Sequence, residues 1–195
     1  MEMDASRLVI ISGPSGVGKS TVVKRVLEDS PVPLVLSISA TTREPRDGEV
    51  DGVHYHFLSR QEFEERRQKG EFLEFKEVFR HGNWYGTLKS TVASGLSEGK
   101  WVLLEIDVEG AISVSNEYPD VLMIFLHPGS MEILEKRLRD RQSDSEESIS
   151  RRLQVAAAEM AQSELYDHVI ENRTIDQTAE RICGVIAERA NASPS

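Results

Sequence analysis

Five apolar runs, at 8–12, 34–39, 102–107, 121–127 and 168–171, are nearly continuous rather than alternating, and between them apolar residues recur at helical spacing at about 19–29, 108–117, 131–141 and 175–190. A run with no polar face suits a strand covered on both sides, and strands that alternate with helices build a parallel sheet between helical layers. The predicted fold class is α/β. Two stretches break this rhythm. From 39 to 97 the chain carries turn signals in "RDGEVDG", the alternating "HYHFLS", the charged helix "RQEFEERRQKG", then "EFLEFKEVF" and the hairpin-like "RHGNWYGT", which together predict a small mixed α+β insertion. From 139 to 165, "RQSDSEE" offers Ser and Asp caps with Glu behind them, ahead of a helix with Ile149, Leu153, Ala156 and Met160 on its apolar side, which predicts a helical lid. The expected organisation is a core made of 1–38, 98–138 and 166–195, an insertion at 39–97 and a lid at 139–165.

Composition narrows the class of protein without changing that picture. A chain of 195 residues, 39% hydrophobic and 29% charged, can bury one sizeable core, and no apolar run approaches the roughly 20 residues of a membrane span. The acidic start "MEMDASR" lacks the features of a signal peptide, so a cytoplasmic location is expected. With 33 acidic and 23 basic side chains the net charge is -10, which argues against a general nucleic-acid or anionic-membrane binder. Cys183 is alone, cannot form an internal disulfide, and sits where a small buried hydrophobe is expected. His54, His56, His81, His127 and His168 share no metal-ligand spacing and are read as structural. Monomer and dimer both stay open.

Candidate chemistry starts at Gly13-x-x-x-x-Gly18-Lys19-Ser20, directly after a predicted strand and at the head of a predicted helix. In such a phosphate loop the glycines turn backbone N–H groups inward, the helix N-terminus adds partial positive charge, Lys19 neutralises the outer phosphates and the Ser20 hydroxyl can ligate Mg²⁺. Gly13, Pro14, Ser15, Gly16, Val17, Gly18, Lys19, Ser20 and Thr21 are the expected ATP-binding residues. The loop does not separate a hydrolase from a kinase. "DVEG" at 107–110 matches the D-x-x-G of GTPase switches, but no N-K-x-D element precedes the last helix, so a GTPase is disfavoured.

"TTREPRDGEVDGVHYHFL", at 41–58, places Arg43 and Arg46 three apart beside glycine turns and ahead of Tyr55. Two guanidiniums and a phenol suit capture of a dianionic phosphate, while the same residues could equally form a solvated turn with Arg–Glu pairs to Glu44 or Glu49. The segment resembles the guanylate kinase signature T-[ST]-R-x-x-[KR]-x-x-[DE]-x-x-G-x-x-Y-x-[FY], with Thr41, Thr42, Arg43, Arg46, Glu49, Gly52, Tyr55 and Phe57 at its fixed positions. The likeness extends through "GPSGVGKS", "NWYGT", "EIDVEGA" and "KRLRDR…EESISRRL", nearly the whole chain in family order.

That resemblance implies a P-loop parallel sheet sandwiched by helices, with a nucleotide-monophosphate-binding insertion and a helical lid, moving the γ-phosphate of ATP to GMP or dGMP. By matching positions, Arg43, Arg46, Tyr55 and Tyr85 would hold the GMP phosphate, and Ser39, Glu74, Thr87 and Asp107 would meet guanine. Guanine offers N1–H and N2–H₂ donors to a carboxylate where adenine presents an acceptor, so Glu74 is the expected base discriminator. Glu105 is counted with the acceptor side, and Glu105 and Asp107 would act on Mg²⁺ through water. Arg137, Arg141 and Arg152 would reach the ATP phosphates on closure, joining Lys19 and Arg43 as catalytic residues, whereas Arg139 and Arg151 are read as surface pairs. Arg80–His81 lengthens the loop before "GNWYGT" beyond the commoner family spacing. Two other readings remain: a non-catalytic guanylate-kinase-like protein-binding domain, and a kinase for a different nucleoside monophosphate.

Overall fold

The computed structural model describes residues 5–78, 82–140 and 145–192. Its larger sheet has the strand order β2-β7-β1-β8-β9, with β1 (Leu8–Ser12), β2 (Leu34–Leu36), β7 (Trp101–Glu105), β8 (Leu122–His127) and β9 (His168–Glu171) all parallel. Its centre explains why the runs do not alternate: Leu8 and Ile10 point into one apolar cluster with Val102, Leu104 and Phe125, while Val9 and Ile11 point into another with Leu103, Ile124 and Leu126. Leu8, Val9, Ile10 and Ile11 are fully buried, and each contributes roughly 1.5–3 kcal/mol of transfer free energy.

Helices seal both faces. On the Val9 side, α1 (Lys19–Asp29) packs along α7 (Ile175–Ala192) through Val22, Val26, Ile182 and Ile186. On the Leu8 side lie α4 (Val108–Glu117), with Ala111 and Val114 inward, and α3 (Lys89–Ser97), with Val92 and Leu96 inward. Cys183 packs against the α1–α7 layer, and burial raises its thiol pKa.

The second sheet, in the order β4-β3-β6-β5, comprises β3 (Ala40–Thr41), β4 (His56–Phe57), β5 (Phe72–Val78) and β6 (Asn83–Leu88). Its cover is α2 (Arg60–Gln68), capped by the Ser59 hydroxyl, which accepts from the Glu62 N–H; Phe63 stacks on Phe72 with ring centroids 4.3 Å apart. The β5–β6 register slips between Phe72 and Glu74, and this bulge sends Leu73 into the core beneath α4 while Glu74 also faces α4.

The last unit is α6 (Glu146–Met160), capped by Ser145, whose hydroxyl accepts from the Ser148 N–H. It lies on α5 (Met131–Arg139) through a small cluster of Leu134, Leu138, Leu153 and Ala156, and Arg139 ties the two helices by pairing with Glu135 and Glu146. Ile149 and Ala156 are buried as the pattern predicts.

The structure corrects several boundaries. The expected strand at 34–39 stops at Leu36, continues through one Ser37 N–H bond to Leu103, and gives way to β3 of the other sheet. α3 was not expected: "KSTVASGLS" begins after Leu88 with no side-chain cap and is held by its seat in the core. The helix expected to reach 141 is described to Arg139; Arg141, Arg80 and His81 lie outside the described residues. No helix among the described residues is long and apolar enough to cross a membrane.

Candidate active site

The phosphate loop occupies the turn between β1 and α1 for reasons of space. A Cβ on Gly13 would come within 2.4 Å of the Leu126 carbonyl oxygen, and Gly18 sits at φ 99 as the N-cap of α1, where a side chain would be strained. The Val17 carbonyl accepts from Asn172 Nδ2 at 2.7 Å and from Arg137 Nη1 at 3.0 Å, so it points away from the cradle. Arg137 Nη2 donates to the Asn172 carbonyl at 2.9 Å, and the Thr178 hydroxyl donates to Asn172 Oδ1 at 3.1 Å. Arg137, expected over the phosphates, braces the loop from behind in this structure.

Lys19 Nζ donates to the carbonyls of Gly13 at 2.6 Å and Pro14 at 3.2 Å, folded across its own loop. Burial lowers its pKa, opposed by the carboxylates of Glu105, Glu159 and Asp107. The Ser20 hydroxyl donates to Glu105 Oε1 at 2.6 Å from the end of β7. This loop opens on a cavity of about 860 Å³, whose far wall includes Arg151 and Glu159 of α6. Glu159 lines this cavity with Ser15 and has its pKa raised chiefly by burial. Arg151 makes its expected surface pair with Glu147 at 3.1 Å, yet also faces this cavity. Arg152 lies half-buried on the same helix.

A second cavity, about 680 Å³, is bounded by the insertion and includes Ser39, Glu49, Tyr55, Glu74, Tyr85 and Asp107 in its wall. Arg43 Nε donates to the Tyr85 hydroxyl at 3.1 Å, Nη2 pairs with Glu49 at 2.9 Å, and the guanidinium lies 5.5 Å from the Tyr55 ring centre. The Arg43 side chain and the Arg46 backbone N–H hold the Glu49 carboxyl down at about 2. The Arg46 side chain is exposed and is not part of this wall. The sequence left phosphate capture and Arg–Glu pairing open as alternatives; the structure contains the Arg43–Glu49 pair, and beside it the two phenols that would complete an anion site.

Glu74 accepts from the buried Thr87 hydroxyl at 2.7 Å, and burial pushes its pKa up to about 7. Its Oε2 lies 3.0 Å from where a Cβ on Gly110 would stand, so the glycine of "DVEG" leaves room for this carboxylate at the head of α4. Asp107 caps that helix, its Oδ1 accepting from the Gly110 N–H at 2.8 Å. Its Oδ2 is 3.1 Å from Lys76 Nζ, which also pairs with Glu109 at 2.7 Å. Lys19, Ser20, Lys76, Glu105 and Asp107 belong to the walls of both cavities.

Two pockets meeting over one phosphate loop call for comparison with known proteins. A family model described as guanylate kinase matches residues 5–189. The chain belongs to the guanylate kinase family. It is 53% identical to the guanylate kinase of Rhodopirellula baltica over 96% of this chain and 90% of that one, and 47% identical to that of Fusobacterium nucleatum over 94% and 97%. A crystal structure of guanylate kinase from Anaplasma phagocytophilum superposes with a TM-score of 0.74 at 35% identity, covering 96% of this chain and 87% of that one. Membership makes the molecule a P-loop kinase of the nucleoside-monophosphate class, and disfavours both a GTPase and a non-catalytic binding domain.

Sequence reasoning missed Asn172, Lys76, Gly110 and Glu159. Neither Asn172 nor Lys76 falls in a motif or spacing that marks it in the sequence. Each acquires its role from a partner more than 30 residues away, Val17 for Asn172 and Asp107 for Lys76, which no local spacing reveals.

Proposed function

We propose that the chain transfers the γ-phosphate of ATP to GMP or dGMP, giving ADP and GDP or dGDP, with ATP in the cavity over the phosphate loop and the acceptor in the cavity of the insertion. The observation that carries this reading is the wall common to the two cavities, because in-line phosphoryl transfer needs donor and acceptor to meet across one lysine and one metal-binding hydroxyl.

In this reading the amides of residues 13–20 and Lys19 hold the ATP phosphates, and the bracing of Val17 by Asn172 and Arg137 keeps those amides aimed inward before substrate arrives. Arg43, Arg46, Tyr55 and Tyr85 bind the acceptor phosphate, for which Arg43 must share or surrender its bond to Glu49. Ser39, Glu74, Thr87 and Asp107 read the base. A carboxyl whose pKa burial raises to about 7 is held in its ionised form by two donors, and the N1–H and N2–H₂ edge of guanine supplies them. Arg141 and Arg152 of the lid region complete the charge neutralisation on closure, and Arg137 supports the loop.

The Ser20 hydroxyl beside the Glu105 carboxylate, with Asp107 nearby, is an all-oxygen donor set that fits Mg²⁺. Ser20 would hold the ion, with Glu105 and Asp107 acting through water, and the charge supplied there would offset that of the outer phosphates. The segments 39–97 and 139–165 act as the two moving parts over the core, excluding water until both nucleotides are in place. We assign the reaction to the cytoplasm, with small nucleotides as the partners.

A coupled assay of ADP release, with GMP, dGMP, AMP, UMP and TMP offered separately, tests the reading. Turnover with GMP or dGMP and little with the rest is expected; preference for AMP or TMP would refute it.

A further inference from the structure

The donor cavity is an unusual place for phosphates. Its wall carries five carboxylates, those of Glu77, Glu105, Asp107, Glu109 and Glu159, against the three cations Lys19, Lys76 and Arg151. Lys19 belongs to the phosphate loop. Lys76 is the only other cation in the wall of both cavities among the described residues, and it comes from the insertion rather than from the core. On β5, Lys76 is two residues from Glu74, so both side chains leave the strand on the face toward α4. Its ammonium lies 3.1 Å from Asp107 and 2.7 Å from Glu109, both at the head of α4. The pair crosses the boundary between the acceptor-binding sheet and the core. Asp107 is held on both oxygens as a result, by the Gly110 N–H on one and by Lys76 on the other.

We propose that Lys76 is a positioning residue for the acceptor nucleotide: it pins β5 against the head of α4 and neutralises Asp107 and Glu109, so that Glu74 and Asp107 present a fixed base-reading edge beside the transfer point. The proposal rests on the assignment of the acceptor to the insertion cavity. Without the ammonium, Asp107 faces the incoming acceptor with no counter-charge on its Oδ2, and β5 loses its ionic tie to the core. Acceptor binding suffers first, because Glu74 rides on the same strand, whereas ATP keeps the loop amides, Lys19 and Ser20. Both partners of Lys76 are partly exposed, Asp107 at 33% and Glu109 at 71%, so the tie is also open to screening by salt.

The test is steady-state kinetics of K76M and K76R beside the unaltered protein, with both substrates varied. The expected result for K76M is a KM for GMP raised about tenfold, a KM for ATP changed by less than about threefold, and recovery of most of the GMP affinity in K76R. Rising salt should raise the KM for GMP of the unaltered protein more steeply than that of K76M, a readout that a loss of fold would not imitate. The proposal is overturned if K76M binds GMP normally, if the KM for ATP rises equally, if K76R is as impaired as K76M, or if the two salt dependences coincide. Failure of the unaltered protein to phosphorylate GMP would instead overturn the functional assignment, a result distinguishable from all four.

Discussion

The two halves of the cleft are built from different materials. On the donor side the phosphate loop is a main-chain surface: glycine geometry shapes it, a helix N-terminus polarises it, and Asn172 and Arg137 hold it from behind through one carbonyl. On the acceptor side the surface is side chain: Arg43, Glu49, Tyr55 and Tyr85 form one connected cluster, Glu74 and Thr87 another, and both sit on or beside the four-stranded sheet. A cradle of amides recognises any polyphosphate and tolerates little change in backbone. A cluster of side chains can select one base, but it depends on charges that compete with one another, as Arg43 does between Glu49 and a phosphate.

That contrast is broken most severely at Lys19. Lys19→Ala should lower turnover by about 10³-fold or more while the KM for GMP stays within a few-fold, as read by initial rates. A loss confined to the KM for GMP would place Lys19 on the wrong side of the cleft. Arg43→Ala comes next, with an expected rise of about a hundredfold in the KM for GMP and a small change for ATP, since a charged bond to phosphate and the anchoring of Tyr85 are both lost.

Glu74 sharpens the comparison through pH. Its carboxyl is raised to about 7 by burial, against the hydrogen bond from Thr87, with Asp107 adding to the rise and Lys76 opposing it. Guanine donors bind the ionised form, so the KM for GMP should fall about tenfold from pH 6 to pH 8, and Glu74→Gln should flatten the Glu74 part of that profile. For stability the sign is the same as for any carboxyl raised by folding: ionising it above its unfolded value of 4.5 costs stability, more so as pH rises toward about 7, and Glu74→Gln should remove that loss. The smallest effect belongs to the brace. Arg137→Met should cost about 1–3 kcal/mol in urea unfolding by leaving the Asn172 carbonyl without its donor. A drop of 10³-fold in turnover with unchanged stability would instead put Arg137 on the phosphates.

The same contrast explains what could be read from the chain. The runs at 8–12 and 168–171 and the helices at 19–29 and 108–117 coincide with β1, β9, α1 and α4, because an apolar run bounded by glycine or a cap is a local signal. The P-loop was legible for that reason. On the acceptor side the motif around Arg43 named the chemistry only through family resemblance, because its spacing alone fits a solvated turn as well. α3 escaped notice because neither a cap nor strong periodicity marks "KSTVASGLS"; Val92 and Leu96 make it a helix by finding the sheet. Lys76 and Gly110 escaped for a tertiary reason: one is a counter-charge and the other a vacancy for Glu74, and both meanings arise only when β5 meets α4.

The account stands most directly on the independence of the two half-sites. Calorimetric binding of a non-hydrolysable ATP analogue and of GMP, each to Lys19→Ala and to Arg43→Ala, measures it. The expected outcome is a crossed pattern: Lys19→Ala loses the ATP analogue and keeps GMP, and Arg43→Ala loses GMP and keeps the analogue. Parallel loss of both ligands in either variant would contradict a cleft made of a main-chain donor half and a side-chain acceptor half.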